Sequence, residues 1–295
     1  MMMKEIVVIS GKGGTGKTSI SASFAWLAKN DVVVADCDVD AADMHLLLKP
    51  DFAFQEDFYS GELAVIDESV CTNCGLCKEV CRFDAIPVID GQHTIDAIAC
   101  EGCGYCPRVC PVDAITMQEL NVGKWYISTT KTDSMMVHAR LGIGQDNSGK
   151  LVAKVKNEAK RLAVEHNIPF SLVDGSPGTG CPVMSSVTGA HFVVLVTEPS
   201  VSGLHDLKRV YEVVKKFHIP AGCIINKYDL NLEKTSEIKT FLTEEHILHL
   251  ADLPYDESFT AAMINGKTIV EYTSNELTDR LKQAWETIKQ TVTKK

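Results

Sequence analysis

The sequence predicts an α/β protein with a doubly wound, mostly parallel sheet that carries an inserted, smaller α+β module. Three observations lead to this prediction. Short β-branched strands alternate with amphipathic helices through most of the chain, and a glycine-rich loop joins the first strand to the first helix. Between Cys71 and Cys110, by contrast, the chain holds eight of its eleven cysteines and has no pattern typical of a long helix.

The composition is typical of a soluble globular protein. The chain has 295 residues, of which 45% are hydrophobic and 23% charged, enough for one large domain and a smaller insert. Its net charge of -10 argues against binding to nucleic acid or to an anionic membrane, because both depend on clustered Lys and Arg. No apolar run approaches the roughly 20 residues that span a bilayer. The first strand begins almost at the N-terminus and leaves no room for a signal peptide, so we expect a cytoplasmic protein.

The first strand, loop and helix contain a phosphate-binding motif. The strand KEIVVIS leads into GKGGTGKT, residues 11–18, which fits G-x-x-x-x-G-K-[ST], and a helical pattern follows. Glycines let successive backbone N–H groups converge on phosphate oxygens. Lys17 is expected to reach the β and γ phosphates, and the Thr18 hydroxyl to bind Mg²⁺. The residues predicted to bind nucleotide in this loop are Gly11, Gly13, Gly14, Thr15, Gly16, Lys17, Thr18 and Ser19.

The later segments repeat the alternation of strand and helix. The strand in DVVVADCDVD ends in a cluster of aspartates, as parallel strands do where their carboxyl ends face a site. The segments GKLVAKVKNEAKRLAVEH and GLHDLKRVYEVVKKF have helical periodicity, whereas FSLVD, HFVVLVTEP and AGCIINK are apolar strands. These segments predict a series of βα units.

The C-terminal segment NELTDRLKQAWETIKQTVTKK predicts an amphipathic helix. Its polar face mixes acids with bases instead of being strongly cationic, so we expect the apolar face to dock on the protein's own sheet and not on a membrane. The apolar face consists of Leu277, Leu281, Trp285, Ile288 and Val292.

The cysteine-rich segment predicts an inserted module at residues 59–122, between two parts of the larger domain at residues 1–58 and 123–295. The module contains an internal duplication, because VCTNCGLCKEVCRFDAIPV matches ACEGCGYCPRVCPVDAITM with the cysteines in the same register. Each copy follows C-x2-C-x2-C-x3-C, the spacing of two-cluster ferredoxins, in which the fourth cysteine of each run ligates the other cluster. Structural zinc is the alternative, but the duplicated run fits two tetrahedral sites poorly.

The spacing divides the eight cysteines between two predicted 4Fe-4S clusters, and the segment resembles bacterial ferredoxins. Cluster 1 is assigned Cys71, Cys74, Cys77 and Cys110; cluster 2 is assigned Cys81, Cys100, Cys103 and Cys106. The remaining cysteines lie elsewhere. Cys37 and Cys223 fall in apolar strands and are expected in the core, whereas Cys181 is either a small packing residue or a ligand of a third, dimer-bridging cluster.

The phosphate loop has an additional lysine, Lys12, and GKGGTGKT resembles the deviant Walker A motif of the MinD/ParA/Mrp class of P-loop ATPases, relatives of the nitrogenase iron protein. The resemblance implies that Lys12 reaches across a nucleotide-sandwich homodimer to the phosphates bound by the partner subunit. A heterodimer with a paralogue is the alternative assembly. ATP hydrolysis would then depend on dimerisation, with Lys12 supplying a cation to the transferred phosphoryl group.

The resemblance implies roles for four further residues. The segment ADCDVDAADMHLLL stands where the family has switch I, and Asp38 aligns with the aspartate that positions or activates the attacking water. FSLVDGSPGTG matches a Walker B strand and switch II, so Asp174 would hold Mg²⁺. IINKYD matches the base-recognition region, where Asn226 would bind the adenine edge. LPYDESF, which contains Pro254, matches the loop that closes over the base. The implied catalytic residues are Lys12, Lys17 and Asp38.

The combination resembles MinD/Mrp-superfamily ATPases that contain an inserted ferredoxin domain. It implies a cytoplasmic, homodimeric ATPase that couples ATP binding to electron transfer through two 4Fe-4S clusters, with ATP or ADP and Mg²⁺ as ligands and a redox or iron-sulfur protein as partner. Two alternatives stay open. One is an iron-sulfur carrier or scaffold of the Mrp type; the other is a MinD-like positioning or regulatory ATPase with redox-sensing clusters.

Overall fold

The computed structural model describes residues 3–40, 42–142 and 148–294, and its chain divides into two compact units. We call them the large unit and the small unit. The large unit comprises Met1–Glu56, Trp125–Arg140 and Ser148–Lys295. The small unit comprises Asp57–Lys124 and Leu141–Asn147.

Strands and helices are numbered in chain order over the described residues. The strands are β1 (Lys4–Ser10), β2 (Val32–Asp36), β3 (Phe54–Ile66), β4 (Val88–Ile89), β5 (Gln92–His93), β6 (Ile115–Thr129), β7 (Met135–Leu141), β8 (Phe170–Asp174), β9 (Phe192–Thr197), β10 (Ala221–Asn226) and β11 (Leu248–Leu253). The helices are α1 (Lys17–Ala28), α2 (Met44–Leu48), α3 (Leu76–Val80), α4 (Tyr105–Val109), α5 (Ser148–Glu165), α6 (Cys181–Val187), α7 (Val201–Lys216), α8 (Leu232–Glu244), α9 (Ser258–Ile264), α10 (Ile269–Tyr272) and α11 (Glu276–Thr293).

The main sheet has the strand order β11-β10-β9-β1-β8-β2-β7-β6-β3. From β11 to β7, every neighbouring pair is parallel. The central strands are apolar along their whole length, as in β9, FVVLVT, because helices cover both faces of such a sheet. These pairings confirm the predicted mostly parallel α/β sheet and place the carboxyl ends of β1, β2, β8 and β10 along one edge.

The core of the large unit includes the C-terminal helix. All five residues of its predicted apolar face are buried, and Trp285 packs against Phe24 and Phe170 with ring centroids 5.3 Å and 6.0 Å apart. This burial confirms that α11 docks on the protein's own core. No described helix is both long and apolar enough to cross a membrane.

The small unit repeats one backbone arrangement in its two halves. Helices α3 and α4 each follow a left-handed glycine, Gly75 at φ 82° and Gly104 at φ 68°. Each helix then ends at a cysteine in extended conformation, Cys81 or Cys110, with ψ of 114° and 115°. A two-stranded antiparallel sheet, β4 with β5, lies between the halves in sequence. The duplicated sequence therefore folds into two closely similar turns.

Candidate functional site

The phosphate-loop residues 11–16 connect β1 to α1, and residues 13–16 border a large open cavity. The cavity lies at the edge where the parallel strands end, which is where α/β sheets bind ligands. Most of the predicted loop residues line it, together with Asp38. Among the described residues, the lining consists of Ser10, Gly13, Gly14, Thr15, Gly16, Lys17, Thr18, Ser19, Asp38, Asp40, Asp43, Ser176, Pro177, Pro182 and Met263.

Two glycines of the loop are required by space or conformation. Gly16 has φ 89°, and a Cβ there would lie 2.6 Å from Nδ2 of Asn226. Gly11 does not line the cavity; a Cβ there would lie 2.4 Å from the backbone of Asp206. Any side chain at either position would displace the loop from its neighbours.

Lys17 lies between the two carboxylates that the sequence assigned to catalysis and to Mg²⁺. Its Nζ is 3.0 Å from Asp174 Oδ1 and 3.2 Å from Asp38 Oδ2. Burial opposes the charged form of Lys17, but the neighbouring Asp174 and Asp38 outweigh that effect and raise its pKa. The lysine is thus held as a cation, with its charge balanced by two acids of the same site.

Asp174 accepts hydrogen bonds from two hydroxyls of α1. Thr18 Oγ1 donates to Asp174 Oδ2 over 2.8 Å, and Ser21 Oγ donates to Asp174 Oδ1 over 2.7 Å. The Asp174 side chain is completely buried. A hydroxyl and a carboxylate at this distance are suited to share one hard cation, since Mg²⁺ prefers oxygen ligands. Ser21 was not predicted; only its position one turn after Lys17 could have indicated it.

A third acid, Asp36, lies buried beside this group. Burial, and then the charge of Asp174, raise the pKa of Asp36 well above its usual value. Its Oδ1 accepts from the backbone N–H of Asp38 over 3.3 Å, whereas Oδ2 has no hydrogen-bond partner among the described residues. These contacts describe a buried carboxyl that favours its neutral form.

We expect Asp36→Asn to stabilise the protein at neutral pH, because the amide resembles the neutral carboxyl. The folded state raises the pKa above 3.8, so ionising Asp36 costs stability progressively as the pH rises from 3.8 through the folded pKa. Above the folded pKa, the variant should gain about 1.4 kcal/mol in free energy of unfolding for each unit by which folding raises the pKa of Asp36. Urea unfolding of Asp36→Asn, with exposed Asp40→Asn as control, should show a stability gap that widens from pH 4 to pH 8. A gap independent of pH would contradict this expectation.

Lys12 contacts residues of its own chain. Its Nζ lies 2.7 Å from Glu198 Oε1, 2.9 Å from Ser202 Oγ and 3.2 Å from Ser200 Oγ. Glu198 also pairs with Lys227 at 3.1 Å, and these two lysines outweigh the effect of burial and lower the pKa of Glu198. To reach the phosphates of a partner subunit, Lys12 would therefore have to leave Glu198.

The predicted adenine ligand, Asn226, lies against the phosphate loop. Its Nδ2 donates to the carbonyl of Thr15 over 2.8 Å, and its Oδ1 accepts from the backbone N–H of Lys227 over 3.0 Å. The amide has a second N–H, which the sequence-based prediction assigns to the base. In these contacts Asn226 joins the end of β10 to the loop and so positions the phosphate-binding backbone.

Two residues near the predicted base loop were not anticipated. Pro254 follows β11, and the next backbone N–H, of Tyr255, donates to Asp229 Oδ1 over 2.7 Å. Asp229 thus ties the 227–231 segment to the predicted base loop; the only sequence signal was its place at the end of IINKYD. Met263 of α9 lines the large cavity, whereas Pro254 does not. A single methionine carries no pattern that would predict this.

The eight clustered cysteines line two separate cavities of the small unit, four in each. The first contains Cys71, Cys74, Cys77 and Cys110 in its lining. The second contains Cys81, Cys100, Cys103 and Cys106. The fourth cysteine of each sequence run therefore lies in the cavity lined by the other run, which is the crossed grouping expected from the spacing.

The cavity walls include several apolar side chains, and the cysteines range from buried Cys77 to exposed Cys74 and Cys103. Ile66, Val112 and Ile115 border the first cavity, and Ile86 and Ile95 border the second. Burial, with neighbouring thiols, raises the pKa of Cys106 to about 11 and also raises that of Cys77. Metal binding here must therefore displace protons from the thiols.

Four thiols lining one cavity are a donor set for either a single zinc ion or a four-iron cube. Among the described residues, no three His, Cys, Asp or Glu side chains converge closely enough to hold one metal ion. A zinc site requires four ligands within about 2.3 Å of one point. A four-iron cube instead separates its thiolates around its own body. The donor set, four thiols in each of two apolar cavities, fits two such cubes.

The three remaining cysteines have different environments. Cys37 and Cys223 are fully buried, which confirms their prediction as core residues. Cys181 is the first residue of α6 and is exposed. A role for Cys181 in a bridging cluster stays a prediction.

Comparison with known proteins supports the nucleotide-binding character of the large unit. A family model described as the CobQ/CobB/MinD/ParA nucleotide binding domain matches residues 6–269. Two relatives come from Methanocaldococcus jannaschii. The uncharacterized protein MJ0578 is 36% identical over 233 residues, which cover 78% of this chain and 80% of its own. The uncharacterized protein MJ0579 is 27% identical over 273 residues, covering 92% and 93%.

Solved structures share the fold at low sequence identity. The cell division ATPase MinD of Pyrococcus furiosus has a TM-score of 0.59 at 19% identity, covering 98% of this chain and 100% of its own. MinD of Pyrococcus horikoshii OT3, complexed with Mg-ADP, has a TM-score of 0.60 at 19% identity, covering 98% and 97%. The MinC:MinD complex of Aquifex aeolicus gives 0.59 at 15% identity, covering 97% and 96%.

Proposed function

Because the chain belongs to the CobQ/CobB/MinD/ParA nucleotide-binding family, we propose that it is an ATP-hydrolysing iron-sulfur protein. It acts as a dimeric nucleotide switch that couples ATP binding to electron transfer through two 4Fe-4S clusters. The large unit binds and hydrolyses ATP with Mg²⁺. The small unit, which corresponds to a ferredoxin-like insert at residues 59–122, holds the clusters, and a redox protein exchanges electrons with them.

The contacts of Lys17 support the nucleotide part of the proposal. The lysine is paired with Asp174 and Asp38 at the mouth of the loop. When the β and γ phosphates of ATP take over the pairing with Lys17, the two carboxylates become available for other partners. Asp174 and Thr18 then hold Mg²⁺, and Asp38 orients the attacking water.

The contacts of Lys12 support a link between hydrolysis and dimerisation. Lys12 is held by Glu198 and two serines of the same chain, and its side chain is 28% exposed. A partner's phosphates compete with Glu198 for this cation. Lys12 therefore contributes to transition-state stabilisation only after the dimer has formed. The partner subunit is a second copy of this chain or a paralogue.

The observation that carries the electron-transfer part is the division of the cysteines between two cavities. Each cavity has four thiols in the crossed order that two-cluster ferredoxins require. When bound, each cluster supplies one-electron redox chemistry. The chain's own residues provide the thiolates, and the apolar walls around them limit the access of water.

Complete ligation by eight cysteines favours electron transfer over the carrier function. A cluster bound by four thiolates of one chain dissociates slowly, whereas a carrier must release its cluster to an acceptor protein. ATP-dependent transfer of a cluster to an apo-acceptor would favour the carrier. Nucleotide-dependent binding to liposomes would favour the MinD-like alternative, although burial of the apolar face of α11 argues against that helix as an anchor.

The reduction potentials of the clusters test the coupling. The protein is purified without oxygen, its iron and sulfide are counted, and the potentials are measured with ADP and with a non-hydrolysable ATP analogue. We expect roughly eight irons per chain and potentials that differ between the two nucleotides, because the insert begins about twenty residues after Asp38 in the sequence. Identical cluster potentials and identical solution scattering with ADP and with the ATP analogue would contradict the proposed coupling. A preparation without iron would remove the electron-transfer function altogether.

A further inference from the structure

An open groove of about 1040 Å³ lies on the small unit beside the second cysteine cavity. Cys81 and Cys103 line both the groove and that cavity. The groove and the cavity therefore share a boundary made of two of the four thiols assigned to cluster 2. A molecule bound in the groove would lie directly against sulfur ligands of that cluster.

The groove is walled by two exposed aromatic side chains. Phe83 is 43% exposed and Tyr105 is 52% exposed, and both also line the second cysteine cavity. Tyr and Phe are enriched at protein interfaces, since they supply a large contact area with few rotatable bonds. Glu79 and Arg82 complete the polar part of the lining.

The internal duplication provides a comparison within the same chain. The two copies are offset by 29 positions, so Phe83 corresponds to Val112 and Tyr105 to Leu76. The cysteines are identical in both copies, but the aromatic pair occurs only around the second cavity. The cysteines are the same in both copies whereas these neighbouring side chains differ, so the aromatic pair distinguishes the second cavity from the first.

The charge of the small unit indicates what kind of partner fits the groove. Residues 57–124 contain eleven acidic and four basic side chains, a net charge of -7 out of -10 for the whole chain. Asp84 and Glu101, both exposed, adjoin the lining residues in sequence. The groove lining contributes one acid and one base, Glu79 and Arg82, so the excess negative charge comes from the rest of the small unit. This excess attracts a basic protein face and repels an acidic one, and the attraction weakens with salt.

We propose that the groove is the docking site of a redox protein with a basic surface, and that electrons enter or leave through cluster 2. This inference rests on the proposed function. Cys81, Cys100, Cys103 and Cys106 would hold the cluster, which would supply one-electron redox chemistry: it would be oxidised as the partner's redox centre is reduced, or the reverse. No bond is made or broken.

Binding of a redox-inert basic protein tests the inference independently of activity. The probe is zinc-substituted cytochrome c, titrated by fluorescence anisotropy with the full-length, iron-loaded protein at low and high salt. We expect salt-sensitive binding that weakens about tenfold in the double variant Phe83→Val, Tyr105→Leu, which gives the groove the residues of its duplicated counterpart. The matched control, Val88→Ala with Ile89→Ala, changes two exposed apolar residues of the small unit that line neither the groove nor either cysteine cavity, and it should bind as the wild type does.

Charge variants extend the same measurement. Glu79→Lys should weaken binding of the probe and reduce its salt dependence, whereas Glu119→Lys, outside the groove, should change both less.

Iron counting on every variant distinguishes failure of the docking site from failure of the proposed function. If all variants keep roughly eight irons and bind the probe equally, the docking site is overturned while the proposed function stands. Saturable binding of free FMN that requires Phe83 and Tyr105, without salt-sensitive binding of the basic probe, would also overturn it. A wild-type protein without iron would overturn both.

Discussion

Cys71→Ala combined with Cys110→Ala will cost the protein one four-iron cluster, whereas Cys71→Ala combined with Cys81→Ala will cost it both. The reason is that Cys71 and Cys110 line the same cavity although they lie far apart in sequence. Cys71 and Cys81 belong to one sequence run but line different cavities. Iron and sulfide counts after anaerobic purification should give roughly four irons per chain for the first pair and nearly none for the second.

Two observations control this experiment. Cys181→Ala removes an exposed cysteine outside both cavities and should keep roughly eight irons. Electron paramagnetic resonance of the reduced proteins should show coupling between clusters in the wild type and a single, uncoupled signal in the first pair. If the first pair lost both clusters while the second kept one, each run would hold its own cluster and the crossed assignment would be wrong.

Lys17→Met will abolish nucleotide binding and destabilise the large unit. The lysine neutralises Asp174 and Asp38 in a largely buried site, so its removal leaves two carboxylates without their cation. Breaking a buried ion pair from one side costs about 3–5 kcal/mol. Urea unfolding gives the loss of stability, and titration with a fluorescent ATP analogue and Mg²⁺ gives the loss of binding. Lys282→Ala, an exposed lysine paired with Asp279, should leave both unchanged.

Lys12→Ala is expected to impair ATP hydrolysis without abolishing ATP binding, unlike Lys17→Met. Lys12 is partly exposed and outside the lining of the large cavity, so the variant should bind ATP but lose about 10³-fold or more in turnover. Light scattering with ATP should show loss of the dimer. Normal turnover in Lys12→Ala would contradict the proposed contribution of this lysine to the partner's phosphates.

The sheet and the phosphate loop could be predicted from the sequence because their signals are local. Runs such as FVVLVT identify buried parallel strands, and GKGGTGKT specifies the backbone of a loop between a strand and a helix. The aspartates at the ends of β2 and β8 could be placed at the same edge, since parallel strands end together. The C-terminal helix was equally predictable from its apolar face.

The partners of individual side chains could not be predicted in the same way. Lys12 contacts Ser200 and Ser202 across 188 and 190 residues, and Asn226 reaches Thr15 across 211. No hydrophobic periodicity or motif spacing indicates the hydrogen bond between Tyr255 and Asp229 or the position of Met263 in the cavity lining. Such contacts depend on strand order and loop paths, which hydrophobic periodicity does not encode.

The sequence by itself determined the classes of chemistry: a phosphate loop, acids at the strand ends and a duplicated set of eight cysteines. Only the tertiary structure decided which groups meet. It pairs Lys17 with two carboxylates, holds Lys12 on Glu198 and forms a groove beside the second cysteine cavity. The physical reason is that motif spacing fixes local backbone geometry, whereas charge pairing and cavity shape arise from packing between segments distant in the chain.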